Sequence, residues 1–277
     1  MSDTQPNDTV PDAGDKPLYD TFAPYYDLWT ALAPGTKGDI EFYVAQARRL
    51  SPQAVVVELG VGTGRVATAI AQAGYQVIGV DLSQAMIDRA QARARAAGVA
   101  DRLTFARADF TTWRPDRGVD LITCPYHTLG HVHDPAARRR LFQNAFASLV
   151  PGGRLVFNVS GPAAEANTPE GPGADRAALP FKDFGKIPVP GGHALVKTRS
   201  FHDTDKRITY TDVHGKIVAN DTVVVDNIWT FELARIKEAE VRSLAADAGF
   251  NIEWVSGSFN ETTPVGVEQV WVLSKPA

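Results

Sequence analysis

The sequence has a single cysteine, no long apolar run and no excess of basic residues. Cys124 is the only cysteine among 277 residues, which excludes an internal disulfide. No stretch approaches the length of continuous apolar residues that a membrane helix needs. Lysines and arginines number 28 against 32 aspartates and glutamates, so a general attraction to nucleic acid or to an anionic membrane is not expected. With no stretch typical of a signal peptide, these absences predict a cytoplasmic protein whose partners include neither nucleic acid nor membrane.

The first 16 residues differ in composition from the rest of the chain. Residues 1–16 are rich in Asp, Pro, Thr and Asn and have almost no large apolar residue, which predicts a disordered tail. Residues 17–277 are predicted to form one domain. It opens with the aromatic-rich stretch "PLYDTFAPYYDLW" at residues 17–29, and Glu41–Leu50 then has the apolar spacing of a helix.

Short apolar runs alternate with helical patterns between residues 55 and 159. Such alternation is typical of an α/β fold whose parallel sheet is covered by helices on both faces. The predicted strands are Val55–Leu59, Gln76–Val80, Leu103–Arg107, Val119–Cys124 and Arg154–Val159, and the predicted helices are Arg65–Ala73, Gln84–Ala97 and Pro135–Leu149.

The pattern changes after residue 159. Gly161–Gly192 is rich in Gly, Pro and Ala, which predicts surface loops. Antiparallel strands are predicted after it at His193–Phe201, Arg207–Val213 and Thr222–Thr230, followed by a helix at Glu238–Ala248 and strands at Asn251–Ser256 and Glu268–Ser274. The simplest interpretation is one α/β domain with a small β insertion between Val159 and Glu238.

Three glycines follow the first predicted strand, in "VVVELGVGTGRVATAIAQAGYQVIGVDLS". Gly60, Gly62 and Gly64 permit positive φ and let a ligand approach the backbone closely. Asp81 ends the second strand, where its carboxylate is placed to accept the hydroxyls of a ribose. Since ligands of parallel α/β sheets bind at the carboxyl ends of strands, this spacing predicts a nucleoside site.

Two neighbours of the glycines argue against a dinucleotide. Dinucleotide folds use G-x-G-x-x-G, and Arg65 occupies the place that the third glycine would need. Glu58, two residues before the first glycine, suits a ligand with a positive charge and an amino group better than a pyrophosphate.

Five ordered motifs resemble those of class I S-adenosylmethionine-dependent methyltransferases that act on small molecules, such as glycine and amino-sugar N-methyltransferases. They are "VVELGVGTGR", "VIGVDLS", "ARADF", "DLITCPYHTLGHV" and "LVPGGRLVFNV". The resemblance extends from residue 17 to residue 159, and the last helix and two strands fit it less specifically. It implies a Rossmann-like, mostly parallel sheet with an antiparallel last strand, and S-adenosylmethionine as the cofactor.

The resemblance implies a role for each matching residue. The glycines contact the methionine part of the cofactor, Asp81 holds the ribose, and Asp109 with Phe110 recognises the adenine. Tyrosines of residues 17–50, interpreted as lid helices, close over the methionine end. The implied cofactor-binding residues are Tyr19, Tyr25, Glu58, Gly60, Gly62, Gly64, Arg65, Asp81, Leu82, Met86, Asp109, Phe110 and Cys124.

The stretch "CPYHTLGH" holds the candidate catalytic residues. Tyr126 is expected next to the sulfonium, and His127 is expected to face the acceptor as a base or an orienting group. His131 is expected to hydrogen-bond the N-terminal aromatic residues. Methyl transfer is an in-line displacement, so positioning is the main task and a base is needed only for a protonated nucleophile.

The loop and β insertion at residues 160–237 are expected to cover the acceptor site. The candidate substrate-binding residues are Tyr26, His127, Arg199, Tyr210 and Trp229. An insertion of this kind also makes dimer contacts in some families, so both a monomer and a homodimer remain open. No metal site is predicted, because the histidine spacings match no ligand pattern.

The predicted reaction is methyl transfer from S-adenosylmethionine to a nitrogen or oxygen of a small-molecule acceptor. Three alternatives remain: the same fold using the cofactor for another group transfer or a cyclisation, a nucleotide-dependent oxidoreductase, and a binding protein that has lost catalysis. The sequence does not identify the acceptor, because acceptor pockets vary within one fold.

Overall fold

The computed structural model describes residues 18–33, 36–162, 168–172, 176–260 and 262–277. The predicted disordered tail at residues 1–16 therefore lies outside the described residues. In the described parts of the chain, no helix is both long enough and apolar enough to cross a membrane.

The described chain contains helices and strands that match most of the predicted segments. The helices are α1 (Leu18–Leu32), α2 (Asp39–Ala47), α3 (Arg65–Gln72), α4 (Gln84–Ala96), α5 (Pro135–Ser148) and α6 (Glu238–Ala248). The strands are β1 (Val55–Leu59), β2 (Gln76–Asp81), β3 (Leu103–Arg107), β4 (Val119–Cys124), β5 (Leu149–Ser160), β6 (Glu170–Gly171), β7 (Lys182–Val189), β8 (Gly192–Asp203), β9 (Ile208–Ala219), β10 (Thr222–Ala234), β11 (Asn251–Ser256) and β12 (Glu268–Ser274).

Seven strands form a sheet in the order β11-β12-β5-β4-β1-β2-β3. All neighbours are parallel except β12, which runs antiparallel to both β5 and β11. The predicted α/β fold with an antiparallel last strand is confirmed. The chain reverses its direction of progress across the sheet between β1 and β4, and this switch point is where ligands bind in such sheets.

Helices cover both faces of this sheet, as the apolar strands require. The side chains of β12 are all buried and alternate between the two faces. Trp271 packs in a core with Phe142 of α5, whereas Val270 packs in a second core with Ile70 of α3. Burial on both faces explains why the strands have continuous apolar runs rather than alternating ones.

Five further strands form a second sheet. Strands β10, β9 and β8 are antiparallel neighbours, and the other edge of β8 pairs with β7 and, further along, with β6. The prediction of loops throughout Gly161–Gly192 is therefore wrong for β6 and β7. Strand β7, "KDFGKIPV", has few β-branched residues and contains Pro188, which an edge strand tolerates.

Helix α1 packs against the second sheet through aromatic rings. The ring of Phe22 lies 5.2 Å from that of Trp229 and 4.9 Å from that of Phe231, both on β10. Trp29 stacks on Phe184 of β7 with ring centroids 4.5 Å apart. Because α1 packs against both sheets, side chains of the second sheet lie near the switch point of the first sheet.

Candidate functional site

A cavity of about 390 Å³ lies at the carboxyl ends of β1, β2 and β4, between the switch point, α1 and β10. Its wall is formed by loops of the first sheet, by one face of α1 and by the β10 strand. The lining residues are Leu18, Tyr19, Tyr26, Gly60, Gly62, Asp81, Leu82, Met86, Phe110, Tyr126, Thr128, His131, His133, Thr230 and Glu232.

The glycine turn forms one wall with its backbone. Gly60 and Gly62 have φ values of 66° and 54°, in the left-handed region. A Cβ atom on Gly60 would lie 2.3 Å from Cγ2 of Thr128, in the loop after β4. Gly64 is the residue before α3 and does not line the cavity, because it faces Ala90 of α4 instead. The first glycine thus allows the two central loops to meet, and the third allows two helices to meet.

The Asp81 carboxylate is fixed by two backbone amides. Its Oδ2 accepts a hydrogen bond from the Gly62 N–H at 2.8 Å, and its Oδ1 accepts one from the Ser83 N–H at 2.9 Å. Burial is the main cause that raises the pKa of this carboxyl above its usual value, and the amide hydrogen bonds oppose it. Each oxygen has a further lone pair, so the group remains able to accept hydroxyls from a ligand.

Apolar side chains lie beside Asp81. Leu82, Met86 and Phe110 line the cavity as predicted for an adenine site, and Leu82 is exposed by 45% although it is large and apolar. Asp109 does not line the cavity. It is exposed, and its Oδ1 accepts a hydrogen bond from the Thr111 N–H at 2.8 Å.

Three other predicted cofactor residues lie behind the wall. Glu58 is 3% exposed, and burial raises the pKa of its carboxyl well above the usual value. Arg65 donates to both carboxylate oxygens of Asp39, at 2.8 and 2.5 Å. The Cys124 side chain is buried, and burial raises the pKa of its thiol. None of these three side chains lines the cavity.

The loop after β4 presents Tyr126 to the cavity but not His127. Both residues have positive φ, 53° and 59° respectively. Burial raises the pKa of Tyr126 to about 12, so its hydroxyl is protonated at neutral pH. His127 is outside the cavity lining, and its Nε2 lies 2.8 Å from Oε2 of Glu268.

Tyrosines of α1 close the cavity on a second side. The Tyr19 hydroxyl lies 2.8 Å from Nε2 of His131, as predicted for a contact between this histidine and the N-terminal aromatic residues. Tyr26 lies opposite Gly62. Burial lowers the pKa of His131 to about 4, helped by the nearby His133 and His127. His131 is therefore neutral at neutral pH and is a weak base.

Helix α1 is held near the glycine turn by two aspartates. Asp20 accepts hydrogen bonds from the Ser83 hydroxyl and from the Ala85 N–H at the start of α4. Asp27 accepts from the Thr63 hydroxyl at 2.7 Å and pairs with Arg93 at 2.8 Å. These contacts join α1 to the first sheet, as its aromatic face joins it to the second.

Four predicted residues lie elsewhere in the second sheet or against it. Tyr25 and Trp229 pack on each other, with ring centroids 5.1 Å apart, and Trp229 is 5% exposed. Arg199 donates to Asp212 at 2.8 Å, and the guanidinium of Arg176 lies over the ring of Tyr210. None of the four predicted residues lines the cavity.

Five lining residues were not predicted from the sequence. Thr128 lies inside the stretch that the sequence singles out, and His133 follows it by two residues. Thr230 and Glu232 are on β10, where residues alternate between faces, so each is one residue from Trp229 or Phe231. Leu18 begins α1. No local pattern distinguishes Glu232, whose place depends on how the second sheet packs.

The matches with a sequence family and with curated proteins each cover about half of the chain or less. Residues 56–153 match a family described as a methyltransferase domain. The tRNA 5-carboxymethoxyuridine methyltransferase of Escherichia coli (strain K12) is 39% identical over 110 residues, which are 38% of this chain and 40% of that protein. The chain spans about half the length of the curated relatives it matches, or less.

Similar solved structures cover nearly the whole chain at lower identity. The CcbJ methyltransferase from Streptomyces caelestis has a TM-score of 0.75 and 22% identity, over 95% of this chain and 100% of that one. The sugar N-methyltransferase KedS8 from Streptoalloteichus sp ATCC 53650 has a TM-score of 0.71 and 16% identity, over 100% of both chains. At these identities the likeness concerns the fold, including the second sheet.

Proposed function

Because residues 56–153 are a methyltransferase domain, we propose that the chain transfers the methyl group of S-adenosylmethionine to a small-molecule acceptor. The resemblance predicted from the sequence is confirmed for the family and the fold. The acceptor, its reacting atom and the residue roles below are proposals.

One observation supports this function most strongly. A single cavity joins the glycine turn and Asp81 to polar groups from the second sheet, Thr230 and Glu232. A site that binds only a nucleoside would need only the glycine turn and Asp81. Thr230 and Glu232 supply hydrogen-bonding groups where an acceptor would sit, within the same cavity as the donor.

The residues present fit the sulfonium cofactor. Asp81 would hold the ribose, with Leu82, Met86 and Phe110 against the adenine, and the bare backbone at Gly60 and Gly62 leaves room for the methionine end. S-adenosylmethionine supplies an activated methyl group on a positively charged sulfur. Aromatic faces attract such a cation, and this supports placing it beside Tyr126, Tyr19 and Tyr26.

Nitrogen is favoured over oxygen as the accepting atom. A hydroxyl is a weak nucleophile unless a base removes its proton, whereas a neutral amine attacks through its nitrogen lone pair without prior deprotonation. His131, with a pKa of about 4, is a weak base and is bonded to Tyr19. The Glu232 carboxylate would attract an ammonium group, and the amine would lose its proton to solvent before transfer. The fold likeness to a sugar N-methyltransferase points to the same acceptor class.

The protein's own contribution is orientation and exclusion of water. Tyr19 and His131 hold each other across the cavity, so α1 is fixed to the loop after β4. With α1 in place, the reacting groups are confined between Tyr126, Tyr19 and the strand β10. Confinement of this kind converts a bimolecular displacement into one between held groups, which lowers the entropic part of the barrier.

A calorimetric titration tests the cofactor assignment. We expect S-adenosylmethionine and S-adenosylhomocysteine to bind, and NADH not to bind. Asp81→Asn should weaken binding about 10- to 100-fold, the usual worth of hydrogen bonds to a charged group. Asp88→Asn is the matched control, since Asp88 is exposed on α4 outside the cavity lining. No binding of either sulfur nucleoside would contradict the proposed function, and NADH binding would favour an oxidoreductase.

An acceptor screen tests the choice of nitrogen. Amines, amino sugars among them, are compared with alcohols of the same skeleton, and release of S-adenosylhomocysteine is measured. We expect turnover with an amine and none with its alcohol counterpart. Turnover of the alcohol alone would assign oxygen instead.

A further inference from the structure

The last strand of the first sheet reaches across to the loop after β4. Glu268, the first residue of β12, is 8% exposed. Its Oε2 lies 2.8 Å from His127 Nε2 and accepts a hydrogen bond from Asn158 Nδ2 at 3.0 Å. A carboxylate only accepts hydrogen bonds, so the Nε2 of His127 carries the proton. One carboxylate oxygen therefore holds two side chains from different elements.

Asn158 continues the connection to the cavity wall. Its Oδ1 accepts hydrogen bonds from the Tyr126 N–H at 2.8 Å and from the Tyr43 hydroxyl at 3.1 Å. Asn158 is fully buried on β5, next to β12 in the sheet. The backbone amide of Tyr126 is thus fixed by a side chain that Glu268 itself orients.

This loop needs such support. Tyr126 and His127 are consecutive non-glycine residues with positive φ. Residues with a Cβ adopt this backbone conformation only when the surroundings impose it. Thr128 then donates its hydroxyl to the Pro125 carbonyl at 2.7 Å and contacts the Gly60 backbone. A small relaxation at Tyr126 would move both the aromatic wall and the Thr128 contact with the glycine turn.

We propose that Glu268 is a positioning residue of the methyl-transfer site, which holds Tyr126 in the cavity wall through His127 and Asn158. His127 is then part of this support and not a base that faces the acceptor. The inference rests on the proposed function for its catalytic meaning, but the support itself is testable without turnover. Glu268 lies more than a hundred residues from the motifs that form the cavity, and none of the motifs includes it.

Two variants of Glu268 separate support from charge. In Glu268→Gln, the amide oxygen can accept from Asn158, and the amide nitrogen can donate to Nε2 of the other His127 tautomer. The hydrogen bonds to His127 and to Asn158 are both kept without the negative charge. Glu268→Ala removes both hydrogen bonds. His127→Asn removes only the hydrogen bond between residue 127 and Glu268 and keeps a residue that tolerates positive φ, so it replaces Glu268→Ala if that variant fails to fold.

The matched control is another histidine–carboxylate pair. His214 and Asp226 lie 2.6 Å apart on β9 and β10, and neither lines the cavity. Asp226→Ala removes a pair of the same chemistry without touching the loop after β4. It is expected to leave the Tyr126 amide and ligand binding unchanged.

The experiment measures hydrogen exchange at one amide. The chain has seven tyrosines, so the full-length protein labelled with ¹⁵N-tyrosine gives few signals, and Tyr126→Phe assigns the relevant one. The Tyr210 amide, within β9 of the second sheet, reports opening elsewhere in the protein. We expect Tyr126 exchange to be about tenfold faster in Glu268→Ala, the effect of about one lost hydrogen bond, and close to wild type in Glu268→Gln, with Tyr210 exchange unchanged. Affinity for S-adenosylhomocysteine should fall about tenfold in the alanine variant alone.

The two readouts distinguish two kinds of failure. Unchanged Tyr126 exchange in both Glu268→Ala and His127→Asn would overturn the proposal, as would equal acceleration in Asp226→Ala. Faster exchange with no loss of affinity would overturn the role of Glu268 in the site. If wild type binds no sulfur nucleoside, the proposed function fails, while the exchange data still decide whether Glu268 holds the loop.

Discussion

The two ends of the cavity are built in different ways. The end at Asp81 is formed by consecutive loops of the first sheet, where glycine backbone and one carboxylate define the surface. The other end is formed by residues that come together only in the folded protein, Tyr19 from α1, His131 after β4 and Glu232 from β10. The first end depends on local backbone geometry, and the second depends on how α1 and the second sheet pack on the first.

This difference separates the proposed roles. A fixed nucleoside end suits a ligand shared by a whole family, whereas an end made of side chains from several elements can change with the acceptor. Substitutions at the two ends should therefore act on different ligands. Helix α1 contacts both ends, so its substitutions should act on both.

Gly60→Ala is expected to have the largest effect. The added Cβ would lie 2.3 Å from Thr128 Cγ2, at a φ of 66°. The left-handed conformation costs about 1–2 kcal/mol and overpacking about 1–3 kcal/mol, and the displaced loop should abolish binding of S-adenosylhomocysteine. Denaturant unfolding and calorimetry measure the two effects. Gly98→Ala, at φ 70° with open space around it, should lose only the free energy of unfolding that the left-handed conformation costs. Equal losses in the two variants would contradict the close approach of the loops.

His131→Gln should change the pH dependence of stability. The folded-state pKa of His131 is lowered from 6.5 to about 4, so the fold favours the neutral form. Its contribution is present above pH 6.5 and is lost as the pH falls towards 4, because the unfolded chain binds more protons in that window. Wild type should lose about 3 kcal/mol more than the variant between pH 7 and pH 4. Denaturant unfolding at several pH values measures this, and parallel curves would contradict the burial of a neutral histidine.

Glu232→Gln should separate the two ends most clearly. Loss of the carboxylate should raise the KM of an amine acceptor about tenfold, without changing the dissociation constant of S-adenosylhomocysteine. Steady-state kinetics and calorimetry measure the two values. Glu41→Gln is the control, because Glu41 is exposed on α2 outside the cavity lining. A loss of nucleoside affinity in Glu232→Gln would place Glu232 at the end that binds the nucleoside and would contradict its assignment to the acceptor end.

Asp27→Asn is expected to have the smallest effect. It weakens the contacts of α1 with Thr63 and Arg93, and the latter pair is half exposed, with 42% and 34% of the two side chains accessible. Such pairs contribute about 0.2–1 kcal/mol, so affinity for S-adenosylhomocysteine should fall by no more than about fivefold. The difference from wild type should shrink at high salt. A salt-independent loss would mean that the Thr63 hydrogen bond, not the ion pair, holds α1.

The same contrast explains what the sequence predicts well. The strands and helices of the first sheet follow from buried β-branched runs, and the nucleoside end follows from Gly60, Gly62 and Asp81. Strand β7 was missed because an edge strand with Gly185 and Pro188 has no such run. Its Gly185 faces Leu32 of α1, a tertiary contact that no local pattern indicates.

The acceptor end is harder to predict for a physical reason. Trp229 was predicted to bind the substrate, but its ring packs on Phe22, and the neighbouring Thr230 lines the cavity. Alternation separates the faces of a strand without telling which one meets the site. Arg199 likewise has a partner, Asp212, on the adjacent strand. The orientation of the second sheet decides these outcomes.

A crystal structure with S-adenosylhomocysteine tests the central claim most directly. We expect the ligand inside the cavity, with its ribose on Asp81 and its sulfur on the side of Tyr126, and with the space beside Thr230 and Glu232 left free for an acceptor. A ligand bound elsewhere, or one that fills the space beside Glu232, would contradict the division of the cavity into a donor end and an acceptor end.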